Sequence, residues 1–461
     1  MEPLIEQLQK ENACLWAENA SLRKQVELLT ARITELEEQL ASYQKNSSLQ
    51  KKPLDFIKPN IPHRRKKPGQ PKGHKGTSWF RPKEADETVN LTLSVCPNCS
   101  QPLLKPFGTR DHFVKEIVPA SVVAINYRHY RYQCPSCKKI VESSAPLEIP
   151  NARIGPRALL TACYLKYGLS LPYRKVASAF SNLCGLQITP GGLAQATQKL
   201  AHLFQTEILS IKEHLRKSNS VHSDETGWRL AYHNHWLWVF TTDKATFYQI
   251  NKSRGHKVVK KILGKNFKGT LVADFYTAYN PLPYKHQKCL AHLFRELAEV
   301  KTDAEEFPVF RKKLSRLLHD GMRLAHRRER LEKNIFLRKQ ERIESRLMQI
   351  ISASYQTPDC QRLQKRLLKH KEAIFTFLRE ADVEPTNNRA ERALRQNVIS
   401  RKISFGNYSS LGATAQTTIT SLIETCRQQG KDFIQYGLEF IPHYLSGNPT
   451  PLLASTPIRS P

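Results

Sequence analysis

At residue 219 the chain changes period, and that change limits its fold more than any other feature. "SVHSDETGW", "HWLWVFTT" and "ATFYQI" alternate or run apolar and predict three strands. "SRGHKVVKKILG" has helical spacing, "GTLVADF" predicts a fourth strand, and "KHQKCL" a fifth leading into "AHLFREL". Acidic residues punctuate the pattern: Asp224 lies in the first strand, Asp274 closes the fourth, and Glu391 stands in "NNRAERALR" on a later Arg-rich helix. Carboxylates at strand ends offer hard oxygens with compensating charge, which two divalent cations about 3.5–4 Å apart require in phosphoryl chemistry.

Three strands, a helix, then a strand ending in Asp is the order of the ribonuclease-H-like fold. There the first and fourth strands are parallel neighbours, which would set Asp224 beside Asp274 at the sheet end where ligands collect. Glu225 follows Asp224 directly and on a strand faces the other way, so Asp224 is the preferred ligand. His222 shares the face of Asp224 and could assist it, with a packed or solvated side chain as the simpler reading. Cys289 and His292 are too few for a second metal site and are read as structural. Between Arg311 and Arg346 thirteen Lys or Arg stand against five acidic residues, which predicts long basic helices inserted between Asp274 and Glu391.

The first half of the chain is modular. Leu8, Leu15, Leu22, Leu29 and Leu36 recur every seven residues, with Ile5, Asn12, Asn19, Val26, Ile33 and Leu40 at the matching positions. β-Branched residues at a with Leu at d predict a two-stranded parallel coiled coil whose register is set by buried Asn. Residues 51–83 then hold eleven Lys or Arg against one Asp, with six Pro and three Gly, a composition that cannot build a core. Arg64, Arg65, Lys66, Lys67, Lys72 and Lys75 there resemble short basic arms that lie in a minor groove.

Of the ten cysteines, Cys96-x-x-Cys99 and Cys134-x-x-Cys137 pair by spacing, 34 residues apart, around an alternating segment read as a β-hairpin. Four thiolates would close a tetrahedral site, so the implied Zn²⁺ is structural. Residues 156–204 predict helices, with a turn at Cys184-Gly185 and a Thr189 cap before Pro190, the outline of a helix-turn-helix. A formal net charge of +31 points to polyphosphate, hence double-stranded DNA. No apolar run of about 18 residues suggests a membrane span, and a cytoplasmic, nucleoid-associated protein is expected.

"EPTNNRAERALRQNVISRK", with "DETGW", "VADFYTAYN", "CLAHLFREL" and "SLIETCRQQG", resembles the transposases of the insertion sequence IS66 family, of the DDE class, over nearly the whole chain. The resemblance implies Asp224, Asp274 and Glu391 as catalytic residues holding two Mg²⁺ or Mn²⁺ ions. Asp224 would be the shared ligand, in 3′-end cleavage and strand transfer of DNA. Partners implied are the terminal inverted repeats and target DNA, a second copy through the zipper, and accessory proteins of the element. Arg389, Arg392 and Arg395 neighbour Glu391 on its helix; Arg389 and Arg395 are expected to face phosphate, with pairing to nearby acids as their simpler role. A DNA-binding regulator without chemistry and a nuclease of the same fold are the competing readings.

The expected whole is multidomain, mainly α with an α/β part. A coiled coil spans 1–46, a basic linker 47–88, a zinc module 89–150 and a helix-turn-helix region 151–218. The catalytic domain covers 219–300 and 381–445 around a helical insertion at 301–380, and a tail follows at 446–461.

Overall fold

The protein was analysed as a computed structural model that describes residues 2–48, 84–103, 108–110, 112–114, 120–143, 145–150 and 152–447. The basic stretch 51–83, with Arg64, Arg65, Lys66, Lys67, Lys72 and Lys75, lies outside the described residues, as does the tail beyond residue 447. The chain divides into two compact units, residues 1–116 and 117–461.

In the first unit, α1 (Glu2–Ser48) is a single helix of 47 residues, about 70 Å long at 1.5 Å per residue. Its side chains from Leu15 to Glu38 are all exposed, including Leu15, Leu22, Val26, Leu29, Ile33 and Leu36. Farther on, Cys96 opens a tight turn: its N–H donates to the Gln101 carbonyl (2.8 Å), and its own carbonyl accepts from the Ser100 N–H (2.8 Å). Ser100, directly after Cys99, is left-handed at φ 59°.

The second unit opens with the same turn. Cys134 donates its N–H to Lys139 and accepts from Lys138, both at 2.9 Å, with Lys138 left-handed at φ 58°. The turn joins β1 (Arg131–Gln133) to β2 (Ile140–Glu142), an antiparallel pair. The expected hairpin before Cys134 is therefore displaced: residues 120–130 form no strand, and the ladder flanks the second turn instead. Nearly every side chain from 120 to 133 is exposed, so the alternation has no buried face to hold it in a sheet.

Helices follow: α2 (Pro156–Cys163), extended by a π turn over Tyr164–Gly168, α3 (Tyr173–Cys184), α4 (Pro190–Leu203) and α5 (Gln205–Lys217). Gly185 ends α3 at φ 71°, and the Thr189 side chain caps α4 by accepting the Gly192 N–H. Ala162, Val176, Phe180 and Leu193 form the small core that joins α2, α3 and α4.

The sheet comprises β3 (Ser220–Leu230), β4 (His233–Thr241), β5 (Thr246–Asn251), β6 (Thr270–Ala273) and β7 (Lys285–Lys288), with α6 (His256–Leu263) between β5 and β6. Its order is β5-β4-β3-β6-β7. β3, β4 and β5 form an antiparallel meander, while β6 runs parallel to β3 and β7 parallel to β6. The first and fourth strands are thus parallel neighbours, as the sequence pattern predicts.

Beyond the sheet lie α7 (Leu290–Glu299), α8 (Glu306–His326), α9 (Lys333–Ser352), α10 (Pro358–Lys369), and the short α11 (Lys371–Ile374) and α12 (Thr376–Arg379). The chain then returns to the sheet through α13 (Asn388–Ser404), α14 (Ser410–Gln428) and α15 (Phe433–Leu445). On β4 the period of two separates the faces. Trp238 and Phe240 enter a core shared with α2, α14 and α15, whereas Leu237 and Val239 pack on Ala390, Ala393 and Leu394 of α13. Each such large side chain contributes about 1.5–3 kcal/mol on burial, and α13 is held by this face. No helix of the described residues is long and apolar enough to cross a membrane.

Gly269 leads into β6 where a Cβ would lie 2.3 Å from the Ser218 carbonyl oxygen and 2.9 Å from that of Asn219. Both are backbone atoms that cannot swing aside, and the Thr270 N–H donates to Asn219 at 2.8 Å. Gly269→Ala is expected to cost at least the roughly 1–3 kcal/mol typical of overpacking, read as a lowered Tm.

Candidate active site

β6 pairs with β3 from Ser220↔Thr270 to His222↔Val272 and ends at Ala273. Asp274 is the residue immediately after it, and Asp224 stands two residues past His222, so both carboxylates emerge at the same end of the sheet. Asp274 fixes itself by accepting the Tyr276 N–H on Oδ1 (2.9 Å), and Asp224 accepts the Glu225 N–H (2.8 Å). Glu391 arrives from the first turn of α13, where its carboxylate lies 3.8 Å from His292 Nδ1 and 4.0 Å from Arg295 Nη2 on α7.

Burial pushes the Asp224 carboxyl well above the usual carboxylate range, and the negative charges of Glu225, Asp274 and Glu391 push it further. Among the described residues, no group of three or more His, Cys, Asp or Glu side chains is assembled as a metal cluster.

Glu225 is committed elsewhere. Its buried carboxylate accepts from Tyr279 Oη (2.6 Å) and Arg254 (3.0 Å), and the Arg254 guanidinium is itself sandwiched between the rings of Trp236 (4.3 Å) and Tyr276 (4.0 Å). Burial raises the Glu225 carboxyl, and its hydrogen bonds from Tyr279 and Arg254 oppose the rise. Lys288, almost fully buried at the end of β7, donates to the Asp274 carbonyl (3.0 Å) and has its ammonium pKa lowered to about 8 by burial.

The pattern of the sequence does not reveal Asn387, which joins the elements bearing these acids. Its Nδ2 donates to the Ser223 carbonyl (2.9 Å), and its Oδ1 lies 3.2 Å from Nδ1 of buried His222, an N–H donor in that pairing. Its backbone N–H donates to Cys289 Sγ (3.1 Å), and the Cys289 N–H donates to Ala273 (2.9 Å). One buried residue thus connects β3 beside Asp224, the segment after Asp274, and the start of the Glu391 helix. The only signal for it is a polar doublet, "NN", before a helix, which reads equally as an ordinary cap.

Arg389 pairs with Glu384 and donates to the Thr242 carbonyl (3.2 Å), the bracing role that sequence gave as its simpler one, while Arg392 and Arg395 are exposed. Cys289 is buried, with its thiol pushed upward by burial. A cavity of about 510 Å³ that includes Lys217, Asn219, Lys268, Lys285 and Asp382 lies at the opposite end of the sheet from the acids. In each cysteine turn, backbone N–H groups donate to the first sulfur, from Asn98 and Cys99 to Cys96 and from Cys137 and Ser136 to Cys134, and lower both thiols.

Residues 151–415 match the family model described as "Transposase IS66 family", and residues 94–138 match "zinc-finger binding domain of transposase IS66". The second match spans all four paired cysteines. Among similar chains of Sinorhizobium fredii (strain NBRC 101917 / NGR234), "Uncharacterized protein y4hP" is 24% identical over 406 residues, covering 76% of this chain and 70% of its own. "Uncharacterized protein y4qI" is 26% identical over 377 residues, covering 72% of this chain and 68% of its own.

Asn387→Ala would strip partners from the His222 ring and the Ser223 carbonyl while leaving the backbone contact to Cys289. A loss of about 1–3 kcal/mol per buried group left unpaired is expected, measurable in denaturant unfolding. Asn387→Asp should do no better, because a carboxylate cannot donate to the Ser223 carbonyl.

Proposed function

The chain belongs to the IS66 family of transposases, and we propose that it cuts the 3′ ends of its mobile element at terminal inverted repeats and joins them to target DNA. Asp224, Asp274 and Glu391 are the catalytic residues of this reading. What supports it is that Asp224 of β3 and Asp274 after β6 leave the same end of the sheet, and that the negative charges of Glu225, Asp274 and Glu391 raise the buried Asp224 carboxyl. The strand order supports a ribonuclease-H-like domain around them.

The donor set fits divalent cations. Hard carboxylate oxygens bind Mg²⁺ or Mn²⁺, and a raised Asp224 carboxyl marks negative charge that a cation would compensate. When bound, two such ions supply activation of a water or a DNA 3′-hydroxyl and stabilisation of the leaving oxygen. The protein's part is placement. Asp224, Asp274 and Glu391 would hold the ions. Lys288 holds the backbone of Asp274, and His292 and Arg295 steady Glu391. The pairing of Glu225 with Arg254 and Tyr279 keeps that neighbouring carboxylate from competing.

Cys96, Cys99, Cys134 and Cys137 are proposed as the ligands of a structural Zn²⁺. The support is chemical: two turns of matching backbone geometry, with N–H groups aimed at sulfur, favour thiolate, the form that binds the metal. Helices α3 and α4, joined through Gly185, are proposed as a helix-turn-helix for the repeats. The basic stretch with Arg64, Arg65, Lys66, Lys67, Lys72 and Lys75 and the exposed Arg395 are proposed as phosphate contacts. Arg389 serves as a brace through Glu384. The leucine stripe of α1, exposed from Leu15 to Leu36 in one chain, is proposed to close on a second copy, since an exposed apolar stripe on a long helix gains stability by pairing.

Two outcomes test this reading. With Mg²⁺ or Mn²⁺, the native protein should cut and join a labelled terminal repeat of its element. Asp274→Ala should lose at least the roughly 10–100-fold that removal of a metal's outer-shell partner costs. Independently of turnover, Mn²⁺ at 100 times its Kd should stabilise the native protein by about 2.7 kcal/mol and raise its Tm, and the variant much less. Specific binding without metal-dependent cutting would leave a DNA-binding regulator. For the zipper, Leu22→Asp with Leu29→Asp should halve the sedimenting mass, and an unchanged mass would place the subunit contact elsewhere.

A further inference from the structure

The hairpin that continues β3 and β4 past the active site ends in a strained, exposed tip. Its two-residue turn, Ala231-Tyr232, holds both residues at positive φ, 47° and 66°, where Asn-Gly is the unstrained choice. A non-glycine residue in that region costs about 1–2 kcal/mol. Yet Tyr232 is 80% exposed and gains little burial in exchange. Beside it lies the loop after α13, in which Phe405 is also left-handed (φ 58°) and 78% exposed, and Tyr408 is 76% exposed. The rings of Tyr232 and Tyr408 meet edge to face at 5.7 Å.

This tip is rigidly built. Asn407 pairs with the hairpin through the Ala231 N–H (3.0 Å), the Arg229 carbonyl (2.9 Å) and the Trp228 indole N–H (2.9 Å). Gly406, at φ 115°, sits where a Cβ would be 2.2 Å from the Arg229 carbonyl oxygen, so the two segments are in close backbone contact. Strain and aromatic exposure concentrated on a braced platform call for a partner.

Charge says which partner. No Asp or Glu occurs from Thr226 to Thr242 or from Arg392 to Ile423. On α13 the exposed residues Arg392, Arg395, Ile399 and Lys402 follow helical spacing and form one largely basic stripe from Glu391 toward the tip. The distance agrees by two routes: Glu391 to Ser404 is about 20 Å of helix, and Asp224 to Leu230 about 20 Å of strand. A basic track ending in exposed rings is the combination that binds a nucleic acid backbone and stacks on its bases.

We propose that Tyr232, Phe405 and Tyr408 form a base-stacking platform that engages unpaired or unstacked bases of DNA lying along the α13 stripe, about 20 Å from the catalytic acids. The proposal rests on the transposase reading for the source of that DNA, but the contact itself needs no metal.

The test uses the full chain and two duplex oligonucleotides, one with a single 2-aminopurine opposite an abasic site and one fully paired. The native protein should prefer the first and change its fluorescence. Tyr232→Ala with Tyr408→Ala should lose roughly 5- to 150-fold of that affinity per stacked base, with little change on the paired duplex. Tyr232→Phe should retain the preference. Tyr232→Gly should lose it without a lowered Tm, since glycine relaxes the turn. Asp274→Ala should keep the fluorescence change while losing metal-dependent cutting; if the native protein shows that change but never cuts, the catalytic reading fails and the platform stands. Equal binding by the double variant and the native protein would overturn the platform. So would a change in sedimenting mass in place of DNA affinity, which would make the tip a contact between copies.

Discussion

Like charge gathered at one end of a sheet is the constraint on which the rest of the second unit depends. Asp224, Glu225, Asp274 and Glu391 would separate if left to electrostatics, and each extra carboxylate raises the cost of ionising Asp224. The fold holds them by treating each differently. Arg254, itself clamped between Trp236 and Tyr276, neutralises Glu225. His292 and Arg295 of α7 face Glu391, and a buried lysine anchors the backbone of Asp274. Asp224 takes a backbone N–H and bears the charge of its three neighbours. The site therefore stores its need for positive charge in one residue.

Holding acids against repulsion requires stiff links between their elements, and Asn387 provides the central one. The interactions of its side chain fall on residues more than 160 positions earlier, and its backbone N–H reaches Cys289. That distance in sequence explains what was legible and what was not. The strands could be read because apolar alternation is local, and the parallel pairing of first and fourth strands follows from their order. Asp224 and Asp274 could be read because a strand end fixes a side chain's position. Asn387 and Lys288 could not, because a buried polar residue looks like a surface one until its partners are known.

The opposite error occurred before Cys134. There an alternating apolar pattern predicted strands, but the segment buries no face, and periodicity without burial does not fix a ladder. The aromatic tip was illegible for a related reason. Ala231 and Tyr232 fall between two predicted strands without the Asn-Gly that marks a tight hairpin turn, and only the backbone angles expose the cost. Departures from local preference are expected where function outweighs stability.

More than a hundred residues separate Asp274 from Glu391, and the structure removes the penalty of that distance. Helices α7 to α12 close around their own core, in which Phe310, Phe375 and Phe377 are fully buried. Buried Gln287 on β7 pins this body to the sheet, donating to the Ile374 carbonyl (3.1 Å) and accepting the Phe377 N–H (3.0 Å). At its base the Leu290 N–H donates to the Pro385 carbonyl (3.0 Å), so the chain enters and leaves through adjacent points. A closed neck of this kind makes the position of Glu391 depend on a few hydrogen bonds at the base and on the packing of α13, not on the path between. The geometry of the site therefore rests on Gln287, Asn387 and the β4-facing side of α13.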